Sequence, residues 1–209
     1  MNSSLSLLHP YPFEKLNKLF QDIQPADLPL IPLSIGEPKH PMPEIIARTI
    51  AGHAGEFALY PPNEGAPDLR AAITDWIAGR HGVALDPETQ VIPLNGTREG
   101  LFNAAIALSP EHKAGQWPAI LMPNPFYQVY AVAALTVGAE PVYVPATAAT
   151  GFLPDYGSLP KDVLDRTALA FICSPANPQG AVASTDYLAD LLSLAETHDF
   201  RVLADECYS

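Results

Sequence analysis

Apolar positions along the chain follow two rhythms. From Pro67, Leu69, Ile73, Trp76 and Ile77 recur at helical spacing, with proline in the first turn and Gly82 just past the last turn. That pattern predicts a helix with its own start and stop signals. Beyond it, short apolar runs alternate with helical stretches. VIPLNG (91–96) predicts a first strand leading into a helix with Leu101, Phe102, Ala105 and Ile106 on one face. AILMPNP (119–125) predicts a second strand, followed by a helix through Val129 to Val137. EPVYVPA (140–146), TALAFICSP (167–175) and FRVLADE (200–206) predict three more. Between the last two, Leu188, Leu191, Leu192 and Ala195 line a helix capped by Ser184, Thr185 or Asp186. Continuous apolar strands separated by helices predict an α/β fold, a mostly parallel sheet sandwiched by helices. Residues 1–45 are broken by proline and carry one short amphipathic piece, Phe13 to Ile23, which predicts an N-terminal arm.

Composition narrows the classes. A chain of 209 residues, 48% hydrophobic, can build one α/β core, or one domain and part of a second. The formal charge of −12 argues against nucleic acid and anionic membrane as partners, because phosphates must be neutralised by Lys and Arg. The N-terminus lacks the basic and apolar regions of a signal peptide, and no later run could cross a bilayer, so a cytoplasmic protein is expected. Cys173 and Cys207 lie in apolar strand-like runs and are expected to be buried, reduced thiols. The six histidines show no metal-ligand spacing, so no metal is expected.

In a parallel sheet the ligand site lies at the carboxyl ends of the strands. That rule collects Asn95-Gly96-Thr97-Arg98, Asn124-Pro125-Phe126-Tyr127, Ala176-Asn177-Pro178-Gln179-Gly180 and Asp205 to Tyr208 on one rim. NGTREGLF places glycine and a hydroxyl at a strand-to-helix turn, where backbone N–H groups suit a phosphate or simply cap the helix. It is not a P-loop, and the absence of GxGxxG disfavours a dinucleotide-binding domain. Phe126 and Tyr127 offer faces for a flat ring, or are core aromatics. Asp205, ending an apolar strand, needs a partner, since an unpaired buried carboxylate is costly. A cationic ring nitrogen is one such partner. Phosphate cradle, stacking ring, amide, acid and phenol together describe a site for pyridoxal 5′-phosphate.

LSIGEP, YPPNEGAPDLRAAI, NGTREGLF, NPFYQVY, SPANPQGAV and ADECYS follow one another in this chain as in the fold-type I aminotransferases of class I/II, which it resembles over essentially its whole length. Within that group IGEPKHPMP, NPFYQVY and DECYS look most like N-succinyldiaminopimelate aminotransferases of lysine biosynthesis. The resemblance implies an arm and part of a small domain over 1–45 and part of a large cofactor-binding domain over 46–209. It also implies a homodimer that acts on amino-acid and 2-oxo-acid substrates. Gly96, Thr97 and Arg98 would hold the phosphate, Tyr127 would stack on the ring, and Asn177 and Tyr208 would bind the phenolic oxygen. Asp205 would pair with the ring nitrogen, Tyr60 would reach the phosphate of a neighbouring subunit, and Gly36 would lie by the substrate carboxylate.

The chain departs from that family at one point. Its lysines are Lys15, Lys18, Lys39, Lys113 and Lys161, and none follows Asp205, where the family carries its Schiff-base lysine. No catalytic residue is therefore assigned, and the expectation is an N-terminal portion, inactive alone, with an open sheet edge. Competing readings are another amino-acid aminotransferase, such as an aspartate-like one, and a non-catalytic module that binds cofactor or partner.

Overall fold

The computed structural model describes residues 6–8, 10–24, 27–29, 31, 33, 36 and 39–209. His9 and, from the LSIGEP motif, Ser34, Ile35, Glu37 and Pro38 lie outside the described residues. The chain divides into two compact units, one of them Pro10–Pro93 and the other containing Leu94–Ser209.

The Pro10–Pro93 unit carries helices α1 (Pro12–Phe20), α2 (Glu44–Gly52) and α3 (Pro67–His81), with a 3₁₀ turn at Ala54–Ala58. Helix α3 has the predicted bounds. Proline occupies its first turn, and Gly82 closes it in the left-handed conformation, φ 68°, its N–H bonded to Ala78 O. Its buried face differs from the one predicted. Arg70 and Thr74 are buried, whereas Leu69 and Trp76 are exposed and Ile73 and Ile77 half-buried. The Arg70 guanidinium is drawn inward because Nη1 donates to Pro87 O at 2.9 Å and Nη2 lies 3.4 Å from Glu88.

The second unit is built on a four-stranded, wholly parallel sheet: β1 (Ala119–Asn124), β2 (Glu140–Pro145), β3 (Thr167–Cys173) and β4 (Arg201–Asp205), in the order β2-β1-β3-β4. Helices α4 (Thr97–Leu108), α5 (Gln128–Thr136), α6 (Lys161–Asp165) and α7 (Thr185–His198) complete it. The pleat sorts the strand residues into two cores. Ile120 and Met122 of β1, with Leu169 and Phe171 of β3, pack against α4 and α5 on one face. Leu121, Ala170 and Ile172 turn to the other face, against Leu164 of α6 and Leu191 and Ala195 of α7. Covering both faces explains why β1 and β3 read as unbroken apolar runs. Helix α7 starts where Ser184 accepts the Tyr187 N–H, so Ser184 is the cap among the three candidates.

At the opposite end of the strands from their carboxyl termini, Lys113 Nζ donates to Thr167 O (2.6 Å), His198 O (2.8 Å) and Asp199 O (2.5 Å). One cation thereby ties the segment before β1 to the start of β3 and to the last carbonyls of α7.

Two expectations are corrected. The run 91–96 is not a strand: it straddles the boundary between the units, Pro93 has no N–H for a ladder, and Ile92 and Leu94 are exposed. Cys207 is a free thiol but not buried, because β4 ends at Asp205 and leaves it in the turn beyond; Cys173, inside β3, is buried and free. Among the described residues, neither β2 nor β4 has a strand on its outer side. No described helix is long and apolar enough to cross a membrane, and no described group of His, Cys, Asp and Glu side chains could hold a metal ion.

Candidate cofactor-binding site

Parallel pairing brings the carboxyl ends of β1, β3 and β4 to one rim, with Cys173 level with Asp205. The strand order turns back on itself between β1 and β3, since β2 lies on one side of β1 and β3 on the other. Such a reversal opens a crevice at the strand ends. Here a cavity of about 260 Å³ lies there, floored by Pro123, Cys173 and Asp205.

Six of the residues singled out from the sequence line it: Thr97, Arg98, Tyr127, Asn177, Asp205 and Tyr208. They reach it from four segments: the start of α4, the loop before α5, the turn after β3, and the end of β4 with the turn beyond it. Thr97 and Arg98 open α4, and no side chain caps that helix, so the N–H groups of its first turn face outward uncapped. Gly96 precedes them at φ 138°, ψ 151°, a region open to glycine almost alone. Tyr127 stands just before α5, and Arg98 Nε donates to its hydroxyl at 2.7 Å, which holds both side chains at the mouth. From the turn after β3, Asn177 Nδ2 donates to Tyr208 Oη at 3.2 Å. Thr97 Oγ1 lies 3.0 Å from Cys207 Sγ.

Asp205 is 7% exposed and has a protein partner. Tyr130 Oη donates to Oδ2 at 2.7 Å, and the Cys207 N–H lies 3.4 Å from Oδ1. Burial first, and then donation to Asp205, push the Tyr130 phenol far above its ordinary pKa, so it remains a hydrogen-bond donor. Burial likewise raises Cys173, Cys207 and Tyr208.

Phe126 does not join this group; it packs on Tyr143 of β2, ring centroids 4.9 Å apart. Gly36 and Tyr60 belong to the Pro10–Pro93 unit, where both are exposed. Cys207, within the rim segment from Asp205 to Tyr208, also lines the cavity, as do Tyr130 and Cys173, which the strand-end rule does not collect. A signal for Tyr130 was present: it falls three residues after Tyr127, so a helix starting at Gln128 turns both rings the same way.

The donor set fits pyridoxal 5′-phosphate. An uncapped helix start with a hydroxyl and a guanidinium suits a dianionic phosphate, and a tyrosine beside the cavity suits a flat ring. An amide and a phenol suit a phenolate oxygen, and a buried carboxylate suits a pyridinium.

Comparison with known proteins agrees. The model of the family "Aminotransferase class I and II" matches residues 29–209. An LL-diaminopimelate aminotransferase of Moorella thermoacetica is 36% identical over 204 residues, 97% of this chain and 51% of the relative. The crystal structure of an aminotransferase from Neisseria meningitidis superposes with a TM-score of 0.92 at 38% identity, covering 100% of this chain and 53% of that one. The aminotransferase AspB of Helicobacter pylori gives 0.86 at 34% identity, over 97% and 52%. The chain spans about half the length of the curated relatives it matches. With matching sequence, fold and strand-end site chemistry, the chain belongs to the class I and II aminotransferases, whose cofactor is pyridoxal 5′-phosphate.

Proposed function

We propose that the strand-end cavity binds pyridoxal 5′-phosphate and serves amino-group transfer between an amino acid and a 2-oxo acid. One observation carries the reading: a buried carboxylate, Asp205, at the floor of a cavity that also gathers Tyr127, Asn177, Tyr208 and the start of α4. When bound, this cofactor supplies an aldehyde that takes up amino groups and a cationic ring that draws electrons from them. The chain's own residues bind and orient it. Gly96, Thr97 and Arg98 take the phosphate at the start of α4, Tyr127 covers the ring, and Asn177 and Tyr208 meet the phenolic oxygen. Asp205 holds the proton on the ring nitrogen. Unit charges about 4 Å apart at an effective dielectric of 20 attract by roughly 4 kcal/mol, enough to matter for that proton. Tyr60 reaches the phosphate of a second copy in a homodimer, and Gly36 lies by the substrate carboxylate.

The substrate is proposed to be of the diaminopimelate type. The motifs IGEPKHPMP, NPFYQVY and DECYS favour the N-succinylated form, while the relatives named LL-diaminopimelate aminotransferases favour the free amino acid. The reading includes that these 209 residues do not transaminate by themselves. In the unit that bears the cavity, Lys113 is engaged by three carbonyls at the far end of the strands, and Lys161 pairs with Asp165.

Absorbance titration of the chain with pyridoxal 5′-phosphate tests the cofactor reading. Binding that falls about tenfold or more in Asp205→Ala and Asn177→Ala is expected, the loss of one hydrogen bond to a charged group being worth about that much. Equal binding by both variants overturns it. Borohydride reduction that labels Lys113 or Lys161 overturns the claim of inactivity. Saturation-transfer NMR of the loaded chain with N-succinyl-LL-diaminopimelate, LL-diaminopimelate and aspartate ranks the substrates; preference for aspartate overturns the diaminopimelate assignment.

A further inference from the structure

We propose that Tyr130 is a positioning residue that keeps the proton on a ring nitrogen facing Asp205, by occupying the carboxylate oxygen that would otherwise compete for it. The inference rests on the cofactor reading above. Its basis is the way Tyr130 is held. The side chain is 1% exposed, its ring lies parallel on Phe171 with centroids 4.3 Å apart and 9° between planes, and Tyr127 meets it edge-on at 5.7 Å. Clamped on two sides, the ring has one polar atom, and that atom stands 2.7 Å from Asp205 Oδ2. Cys207 adds weaker contacts to the same carboxylate, its N–H at the long distance of 3.4 Å and its thiol as a further, raised-pKa hydrogen-bonding partner.

A pyridine nitrogen and a carboxylate share one proton between them. A hydrogen bond donated to the far oxygen stabilises the charged carboxylate, makes it the weaker base, and leaves the proton on nitrogen. Burial keeps the Tyr130 phenol protonated, so the donation persists wherever the fold does. The other titratable or charged groups around the cavity are Arg98 of α4, Tyr127 before α5, Cys173 of β3, and Cys207 and Tyr208 after β4. Arg98 is the cation among them, and its Nε is turned to the Tyr127 hydroxyl.

The test uses the 209-residue chain and pyridoxamine 5′-phosphate labelled at the ring nitrogen, which binds without a covalent link. The nitrogen NMR resonance reports where the proton lies. In the wild-type chain it should stand at the protonated position through neutral pH. Tyr130→Phe keeps the stacked ring but removes the donor, and should lower the protonation equilibrium about tenfold, moving the resonance toward the unprotonated position. Fluorotyrosine in place of Tyr130, a stronger donor, should move it the opposite way, which covers the case of a poorly folding Phe variant. Tyr156→Phe removes another buried hydroxyl, bonded to Phe171 O, and should leave the resonance unmoved. If Asp205→Asn shifts the resonance and both changes at Tyr130 do not, the inference is overturned and the cofactor reading stands. Equal shifts in Tyr130→Phe and Tyr156→Phe also overturn it, as a general packing effect. If the labelled cofactor does not bind, or Asp205→Asn changes nothing, the cofactor reading fails and this inference with it.

Discussion

Lys113 Nζ lies 2.6 Å from the carbonyl oxygen of Thr167, and the same ammonium bonds the carbonyls of His198 and Asp199. A cation at the end of α7 meets the negative end of its dipole, and three acceptors fix it there. Lys113→Met keeps much of the stem and removes the donors. Hydrogen bonds to a charged group contribute about 1.5–3 kcal/mol, so the variant is expected to lose about 2 kcal/mol. With a urea slope of ~1–3 kcal/mol per molar, its unfolding midpoint should drop by about 1 M. An unchanged midpoint would show that the three carbonyls are equally well served by water.

Arg70 makes a comparable tie in the Pro10–Pro93 unit, with one difference. Its Nε is buried and has no hydrogen-bond partner, while Nη1 serves Pro87 O and Nη2 faces the exposed Glu88. Arg70→Ala leaves the Pro87 carbonyl without its donor and empties the space the side chain fills, at a cost of about 2 kcal/mol. Glu88→Gln removes only a solvent-exposed charge and should cost less than ~1 kcal/mol. Amide hydrogen exchange within residues 67–90 reads both. Comparable losses in the two variants would place the energy in the ion pair instead.

How far these arrangements were legible in the sequence depends on whether the signal was local. β1 and β3 announced themselves because both faces of each are covered, so the run is apolar from 119 to 123 in the first and from 168 to 173 in the second. Ser184 and Gly82 marked helix ends through backbone chemistry that a single residue carries. The strand-end rule gathers Thr97, Arg98, Tyr127, Asn177, Asp205 and Tyr208 from the sequence alone, and all six line one cavity. What stayed hidden was set by distant pairs. VIPLNG has a strand's composition, yet a strand exists only where another chain segment pairs with it. Leu69 and Trp76 gave α3 an apolar face, but Arg70 and Thr74 are the residues that are buried. The bond from Tyr130 to Asp205 joins residues 75 apart in sequence, and no periodicity encodes it.

Acid should weaken the contact between α6 and α7 at a predictable point. Asp165 accepts from Lys161 Nζ (2.6 Å) and lies 2.8 Å from His198 Nδ1, and these contacts, Lys161 first, hold its carboxyl below the ordinary 3.8. A lowered folded value means the contribution is complete above the ordinary carboxylate range and fades as pH falls through the lowered one. Exposure keeps it small. His53 beside Glu56 has the opposite sign: its pKa is raised above 6.5 by that hydrogen bond, so its contribution is whole below that value and fades as pH climbs through the raised one. Thermal denaturation across pH should show Asp165→Asn flattening the acid limb and His53→Gln flattening the limb above neutrality. Matching profiles for wild type and Asp165→Asn would remove Asp165 from the acid response.

Gly96 concentrates fold and proposed function in one residue. Its φ of 138° and ψ of 151° lie where a side chain strains the backbone, although a Cβ there would meet no atom within 4 Å. The penalty for Gly96→Ala is therefore conformational and not a clash, of the order of 1–3 kcal/mol. The chain can meet it in two ways. If residue 96 keeps its conformation, stability falls by that amount and the start of α4 still presents its N–H groups to the cavity. If residue 96 relaxes instead, stability is nearly kept and the first turn of α4, with Thr97 and Arg98, swings away from the cavity. Because no side chain caps this helix, no cap fixes the direction of those N–H groups, and relaxation is the expected outcome. Gly96→Ala should accordingly lose affinity for pyridoxal 5′-phosphate about tenfold or more while its affinity for pyridoxal, which lacks the phosphate, stays the same. Parallel losses for both ligands would move the phosphate away from α4.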